Sequence, residues 1–377
     1  MKVKLGDICE INPRTPIETS LERISFIPMQ NVGEHGELDA SLYITPPEAQ
    51  KKGYCSFMEG DVLLAKITPC LENGKGALVK NLYGGKGVGS TEFHVLRPKD
   101  EIVHRQWLYF YTVSPTFRKA CQKNMTGSGG QKRVPKQYLR HYEISLPSLS
   151  EQNSQAATLM RLRDQISDRR AQLLKLDELV KARFVEMFGD LVINTKGYTV
   201  RALSEIAQYW NGLTYAPNDV ANDGVIVLRS SNIQNSALDF SNTIRVSCKI
   251  GEKKYVNEND ILMCSRNGSA KLVGKVALIP SIKEPMAFGA FMMIIRSPQY
   301  YPYLQVFFQT HAFRRQIATG ATTTINQITG NMLDLVKLPI PPVYEVGAFA
   351  SFVREVDKSK VVVQLSQKRI DVLHLLW

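Results

Sequence analysis

Within its 377 residues the chain repeats itself at an offset of about 200, and a duplication of that length points to two copies of one supersecondary pattern. Leu5-Gly-Asp-Ile-Cys-Glu-Ile11 answers to Leu203-Ser-Glu-Ile-Ala-Gln-Tyr209, and Phe26-Ile-Pro-Met-Gln-Asn-Val32 to Val227-Leu-Arg-Ser-Ser-Asn-Ile233. Glu59-Gly-Asp-Val-Leu-Leu-Ala65 with Gly74-Lys-Gly-Ala-Leu-Val79 answers to Glu258-Asn-Asp-Ile-Leu-Met-Cys264 with Gly274-Lys-Val-Ala-Leu-Ile279. Both stretches predict strand, polar loop, Gly-Lys, strand. Phe93-His-Val-Leu-Arg97 matches Phe291-Met-Met-Ile-Ile-Arg296, and Ser114-Pro-Thr-Phe-Arg-Lys119 matches Thr310-His-Ala-Phe-Arg-Arg315. A small-polar loop follows in each half, Thr126-Gly-Ser-Gly-Gly-Gln131 and Thr319-Gly-Ala-Thr-Thr-Thr-Ile-Asn-Gln327. Each half then closes on a Leu-Pro, at Leu146-Pro147 and Leu338-Pro339. The longest apolar stretch, Ala287 to Ile295, falls short of the roughly 20 residues of a membrane span and reads as one buried strand.

Beyond each Leu-Pro, glycine-rich alternation gives way to apolar residues every three or four positions, which predicts long helices. The first seam runs Leu159, Leu162, Ile166, Arg169, Leu173, Leu176, Val180, Arg183, Met187. The second runs Phe349, Phe352, Val356, Ser359, Val363, Ser366, Ile370, Leu373, Trp377. A sustained 3.5-residue period is a coiled-coil seam, and antiparallel packing of the two helices is the economical arrangement. The Val361-Val362-Val363 run lowers helix propensity by only tenths of a kcal/mol per residue, which burial can override. The expected class is therefore mixed α/β: two similar globular domains, 1–150 and 191–342, separated by long helices over 151–190 and 343–377 that pair as an antiparallel coiled coil.

Lys plus Arg number 47 against 35 for Asp plus Glu, a net charge of +12. The excess sits in the globular repeats, with 20 basic and 15 acidic side chains over 1–150 and 15 and 9 over 191–342, while the helical segments are nearly balanced. Two basic modules suit a polyanionic, bipartite ligand, nucleic acid before a membrane surface. A helix of roughly 38 residues is about 57 Å long, more than the roughly 34 Å of one duplex turn. The six cysteines form no CxxC pair or zinc spacing and read as reduced core thiols of a cytoplasmic protein. The opening Met-Lys-Val-Lys-Leu-Gly-Asp reaches charge and glycine too early for a secretion signal.

Base edges and phosphates are read by Arg, Lys, Asn, Gln, Ser and Thr on loops. One equivalent pair of loops offers Gln30 and Asn31 in the first half, with Arg229, Ser231 and Asn232 in the second. Another offers Lys66, Thr68 and Lys75, with Arg266, Asn267 and Lys275. The glycine-rich loop adds Ser128, Gln131, Lys132 and Arg133, where glycines permit close backbone approach. Its counterpart offers Thr323, Thr324, Asn326 and Gln327, hydroxyls and amides without a basic residue.

Enzyme signatures are thin. The chain has no GxxxxGK[ST], no GxSxG and no HExxH, and Gly85-Lys-Gly-Val-Gly89 is too compact for a dinucleotide fingerprint. Glu252-Lys253-Lys254 following Asp239 is a weak nuclease-like pattern, and the histidines share no spacing. Neither Asn-Pro-Pro-Tyr nor a glycine motif for S-adenosylmethionine occurs, so no catalytic, cofactor or metal site is expected in this chain.

The ordered, duplicated pattern resembles the specificity subunits of type I restriction-modification systems, the HsdS family. Its carriers are Leu5-Gly-Asp-Ile8, Gly60-Asp-Val-Leu63 with Gly74-Lys75, the Thr126-Gly-Ser-Gly-Gly-Gln131 loop leading to Ile144-Ser-Leu-Pro-Ser-Leu-Ser-Glu-Gln152, and Phe184-Val-Glu-Met-Phe-Gly-Asp190. The resemblance covers essentially the whole chain. It implies a non-catalytic subunit whose two target recognition domains read the halves of an asymmetric, interrupted DNA site. It further implies methyltransferase subunits, in two copies, docked on the helices and carrying S-adenosylmethionine for adenine methylation, and a separate motor-nuclease subunit. Two features depart from the family: the second helix closes at Trp377, earlier than in many members, and the loop at 319–327 lacks the glycine-rich form. Two other readings stay open on the residues alone, a DNA-acting enzyme such as a nuclease with duplicated recognition domains, and a basic interaction scaffold.

Overall fold

Val62–Ala65 and Ile261–Cys264 are apolar at every position because each lies inside a sheet covered on both faces. The computed structural model that shows this describes the chain except residues 18–19, 52, 129, 319–325 and 376–377, and only the backbone of 51 and 368–375. Two units emerge, Met1–Arg169 with the end of the chain from Ser366, and Arg170–Leu365.

In the first unit Cys9–Ile11, Phe93–Pro98, Val62–Ala65 and Gly76–Leu78 form an antiparallel sheet in that order. Val62 and Leu64 face one core with Leu108, Phe117 and Leu139 from the short helices. Leu63 faces the other way, into a core shared with Ile27 and Phe57. Those two residues belong to a mixed sheet ordered Tyr43–Ile44, Ile24–Ile27, Lys86–Gly89, Cys55–Met58. Its central pair, Ile24–Ile27 and Lys86–Gly89, is parallel.

The second unit repeats the plan. Gln208–Asn211, Met292–Arg296, Ile261–Cys264 and Val276–Leu278 form the antiparallel sheet, and Val225–Leu228 lies parallel to Met286–Phe288 in the mixed one. Register is preserved: Val62 pairs with Leu96, and 199 residues on Ile261 pairs with Ile295. The apolar stretch from Ala287 to Ile295 is thus two strands of different sheets, not one. Gly289 makes the break, its carbonyl accepting the Met292 N–H at 2.8 Å.

A two-stranded ribbon closes each repeat, Lys2–Lys4 with Glu143–Ser145 and Thr199–Ala202 with Lys337–Ile340. The second ribbon corrects the sequence matching, because Val200 pairs with Pro339 and so places Leu338-Pro339 inside a strand. Pro147 stands two residues before the helix Leu149–Phe188, and the residue so placed before Val343–Leu375 is Pro341. Pro339, Pro341 and Pro342 stand so close together that residue type alone does not tell which of them answers to Pro147.

The first long helix starts on a capping box, in which the Glu151 carboxylate accepts the Ser148 N–H at 2.8 Å and Ser148 Oγ accepts the Glu151 N–H at 3.3 Å. Gln152, fully buried, fastens its first turn to the first unit by accepting the His104 N–H at 2.8 Å and donating to the carbonyls of Pro147 at 2.9 Å and Ile102 at 3.3 Å. The two long helices pair antiparallel within the second unit. Lys360 meets Asp177 at 2.8 Å, Arg183 lies over Phe352, and Phe188 meets Phe349 with ring centroids 5.4 Å apart. Phe184 and Phe349 are buried with Tyr303 in the same core.

Of the expected seam, Leu176, Val180, Phe349, Phe352 and Val356 join that core. Leu162, Ile166, Leu173 and Val363 are half-buried. Leu159 instead packs with Ala156 against the first unit's own core. Ser359 is exposed, and the side chains of Ile370 and Leu373 lie outside the described residues. Near its end the first helix keeps Met187 packed against that core and adds the fully buried Phe184 and Phe188, because a 3.6-residue helix drifts about 20° per heptad against a 3.5 repeat. Among the described residues no helix is long and apolar enough to cross a membrane.

Candidate nucleic-acid interface

Three loops of the first unit meet beyond the ends of its antiparallel strands. The loop after Val62–Ala65 pairs with the glycine-rich loop through a bridge from Ile67 to Arg133, and a second bridge from Arg133 to Thr126 closes the glycine-rich loop on itself. Thr68 N–H donates to Lys132 O at 3.0 Å and Val134 N–H to Lys66 O at 2.9 Å. Lys75 reaches the third loop, its Nζ donating to Met29 O at 3.3 Å. Gly127 sits at φ +125°, where a Cβ would come within 2.8 Å of Gln131 O, so the tight turn requires glycine.

Ser128, Gln131, Lys132 and Gln30 are exposed on this cluster. Other candidates are engaged by the protein itself. Thr68 donates its hydroxyl to Glu72 at 3.0 Å, and Asn31 donates to Asp39 O and its carboxylate at 3.1 and 3.2 Å. Arg133 forks onto Glu92, Nε to Oε2 at 2.9 Å and Nη2 to Oε1 at 2.8 Å, and its Nη1 donates to Gln131 O at 3.2 Å. That fork holds the Glu92 carboxyl below its ordinary range. Sequence reasoning gave no role to Glu92, in the turn just before Phe93–Pro98, or to His94 on that strand, yet the two hold the loop from beneath. His94 Nε2 lies 2.8 Å from Val134 O and Nδ1 3.1 Å from Asn12 Nδ2. Burial pushes the imidazole down to about 4, which keeps it neutral near pH 7. Only their places, Glu92 just ahead of the strand and His94 at its second position, could have marked this pair.

The second unit assembles the equivalent loops. Ile328 N–H donates to Ser265 O at 2.7 Å, Arg266 bridges to Gln327, and Asn267 N–H donates to Asn326 O at 3.3 Å. Asn267 Nδ2 donates to Ser230 Oγ at 3.2 Å, tying in the loop that holds Arg229 and Ser231. Ser231, Arg266, Asn326 and Gln327 are exposed, and Lys275 is half-buried. Arg229 Nη2 donates to Asn242 at 3.3 Å. Asn232 is corrected from surface candidate to structural residue, since it is 1% exposed and ties Arg229 N–H, Asp239 O and Asn242 O together. Thr323 and Thr324 lie outside the described residues.

Each unit offers exposed hydroxyl, amide and cationic donors, Ser128, Gln131 and Lys132 in the first and Ser231, Asn326, Gln327 and Arg266 in the second. Those are the groups that bind phosphates and base edges. Among the described residues no group of three or more His, Cys, Asp or Glu is placed to hold a metal. The nuclease-like pattern is spent locally, with Asp239 accepting from Ser241 and the Lys254 ammonium donating to Asn211 O at 2.6 Å.

A family model described as the type I restriction modification DNA specificity domain matches residues 1–176 and again 195–373. The specificity subunit of the type I restriction enzyme EcoAI of Escherichia coli is 41% identical over 165 residues, 43% of this chain and 28% of the relative. The EcoKI specificity subunit of Escherichia coli strain K12 is 27% identical over 177 residues, 44% of this chain and 38% of the relative. The matches thus span under two fifths of these relatives' lengths. Among solved structures, the type I restriction-modification S subunit from M. genitalium covers 99% of this chain and 93% of its own at 13% identity, with a TM-score of 0.56. A chain from a structure of the assembly and conformational transition of a type I system covers 100% and 95% at 18% identity, also with a TM-score of 0.56. Both likenesses concern the fold.

Proposed function

The chain belongs to the type I restriction-modification DNA specificity family, and from that membership we propose that it is the non-catalytic, sequence-reading subunit of a type I restriction-modification complex. Each unit reads one half of a bipartite, asymmetric site in double-stranded DNA. The long helices dock adenine methyltransferase subunits, two copies of them, which carry the S-adenosylmethionine that this chain does not bind. A motor-nuclease subunit completes the assembly, which works in the cytoplasm. The observation that carries this reading is the recurrence of one loop cluster, built on the same strand ends in both units and rich in exposed amide and basic side chains. A duplicated reader needs a bipartite text.

The test is co-expression with the methyltransferase subunit of the same system, followed by mapping of methylated adenines across the host genome. One interrupted motif that depends on this chain is the expected result. A stable complex that methylates no defined motif would refute the specificity role, and failure to form a complex would refute the docking role of the helices.

A further inference from the structure

Glu92 and Phe291 occupy one position in the duplicated sheet, which corrects the sequence match of Phe291 to Phe93 by one residue, since Phe93 pairs with Ala65 as Met292 pairs with Cys264. Each precedes the long inner strand, and each carbonyl accepts an equivalent N–H, Lys66 onto Glu92 at 2.9 Å and Ser265 onto Phe291 at 3.0 Å. Around this shared point the two units hold an arginine in opposite ways. Arg133 spends Nε, Nη1 and Nη2 on Glu92 and Gln131 O. Arg266 lies over the Phe291 ring, its guanidinium carbon 5.4 Å from the centroid. The ring is 60% exposed. Among the described residues no carboxylate pairs with Arg266 and none of its side-chain N–H groups donates a hydrogen bond.

The difference decides which arginine can read DNA. A carboxylate fork consumes the in-plane N–H donors, whereas contact with an aromatic face is made by the charge and leaves those donors free. A free guanidinium edge is the group that matches guanine O6 and N7 with two parallel hydrogen bonds. We propose that Arg266 reads a guanine in the half-site of the second unit, and that Phe291 is the positioning residue that holds it for that contact. This rests on the specificity-subunit reading and deepens it by naming the base edge recognised. On the same grounds Arg133 fastens its loop and leaves reading to Gln131, Lys132 and Ser128.

The experiment selects bound duplexes from a randomised library, using the full chain in complex with its co-expressed methyltransferase subunit. The wild-type complex should enrich a bipartite motif with a G·C pair in one half. Arg266→Ala and Arg266→Lys should each lower preference at that one pair by about tenfold, since lysine keeps the charge but lacks the fork. Every other position of both halves should be retained, which also reports that the variants fold. Phe291→Ala should weaken the same position and Phe291→Trp should restore it, a rescue that a merely structural residue would not give. If the wild-type motif stands and the Arg266 variants leave it unchanged, or weaken all positions equally, the guanine assignment is overturned while the specificity role survives. If the wild-type complex enriches no motif, the specificity role itself falls.

Discussion

Arg296 closes a two-point fork on Asp260, Nε to Oδ1 and Nη2 to Oδ2 at 2.7 Å each, and that carboxylate is all but buried at 1% exposure. Asp260 also accepts the Asn257 N–H at 2.7 Å, so one side chain shapes the turn before the inner strand and ties that strand to its neighbour. The first unit repeats the device with Arg97 and Asp61, where the Met58 N–H is the third donor at 2.9 Å. Removing one partner of a buried pair costs about 3–5 kcal/mol, less where the arginine is partly solvated as here. Asp260→Ala should therefore lower unfolding stability by about 2–3 kcal/mol in urea denaturation, and Asp61→Ala by a similar amount. A change under about 0.5 kcal/mol would show the fork to be dispensable.

His94 makes the first unit sensitive to acid. Its folded value of about 4 lies below the ordinary 6.5, because burial and the charges of Lys66 and Lys136 outweigh the bond to Val134 O and the nearby Glu92. Protons then bind the unfolded chain more readily. The His94 contribution is intact above about pH 6.5 and is lost as pH falls towards 4, at up to about 1.4 kcal/mol per pH unit. Denaturant midpoints of wild type and His94→Gln, compared at pH 7.5, 6 and 5, should converge as pH falls. A constant gap would contradict the depressed value.

The helix pair depends on rings more than on charge. Phe349→Ala, which opens a cavity beside Phe184, Phe188 and Tyr303, should cost about 3–4 kcal/mol. Lys360→Ala breaks a partly exposed pair with Asp177 and should cost less than about 1 kcal/mol. Paired thermal melts decide the ranking, and the reverse order would mean that charge governs the pairing.

Lys132 and Arg133 adjoin in sequence but differ in role. Lys132→Ala should reduce the slope of log affinity against log salt by about 1, as a lost phosphate contact does. Arg133→Ala should leave that slope nearly unchanged and blur the whole first half-site, because it frees the loop from Glu92. Equal slope changes in both variants would return Arg133 to the DNA surface.

The duplication, the strand pairs and the long helices were legible because repetition and period are properties of residue order. Which candidates face outward was not. Asn232 and Asn31 look like readers by type, yet hydrogen bonds across their own loops absorb them, and a linear sequence does not show that Asp239 and Asp39 fold back onto them. Glu92 was passed over, and Phe291 matched one position off to Phe93, for a related reason. Their importance comes from the partner each meets across the loops, Arg133 for Glu92 and Arg266 for Phe291. Leu338-Pro339 misled because proline marks both strand ends and helix starts, and only pairing with Val200 tells them apart.

The candidate loops are joined to one another largely through main-chain hydrogen bonds, at Thr68, Val134, Asn267 and Ile328. Peptide groups are the same whatever side chain they carry. Substitutions at the outward positions can therefore accumulate with little loss of folding, and under the proposed specificity role a lineage carrying such a chain could exchange one target for another without rebuilding the fold. Fidelity of shape and drift of meaning are separable here, because they are written in different atoms.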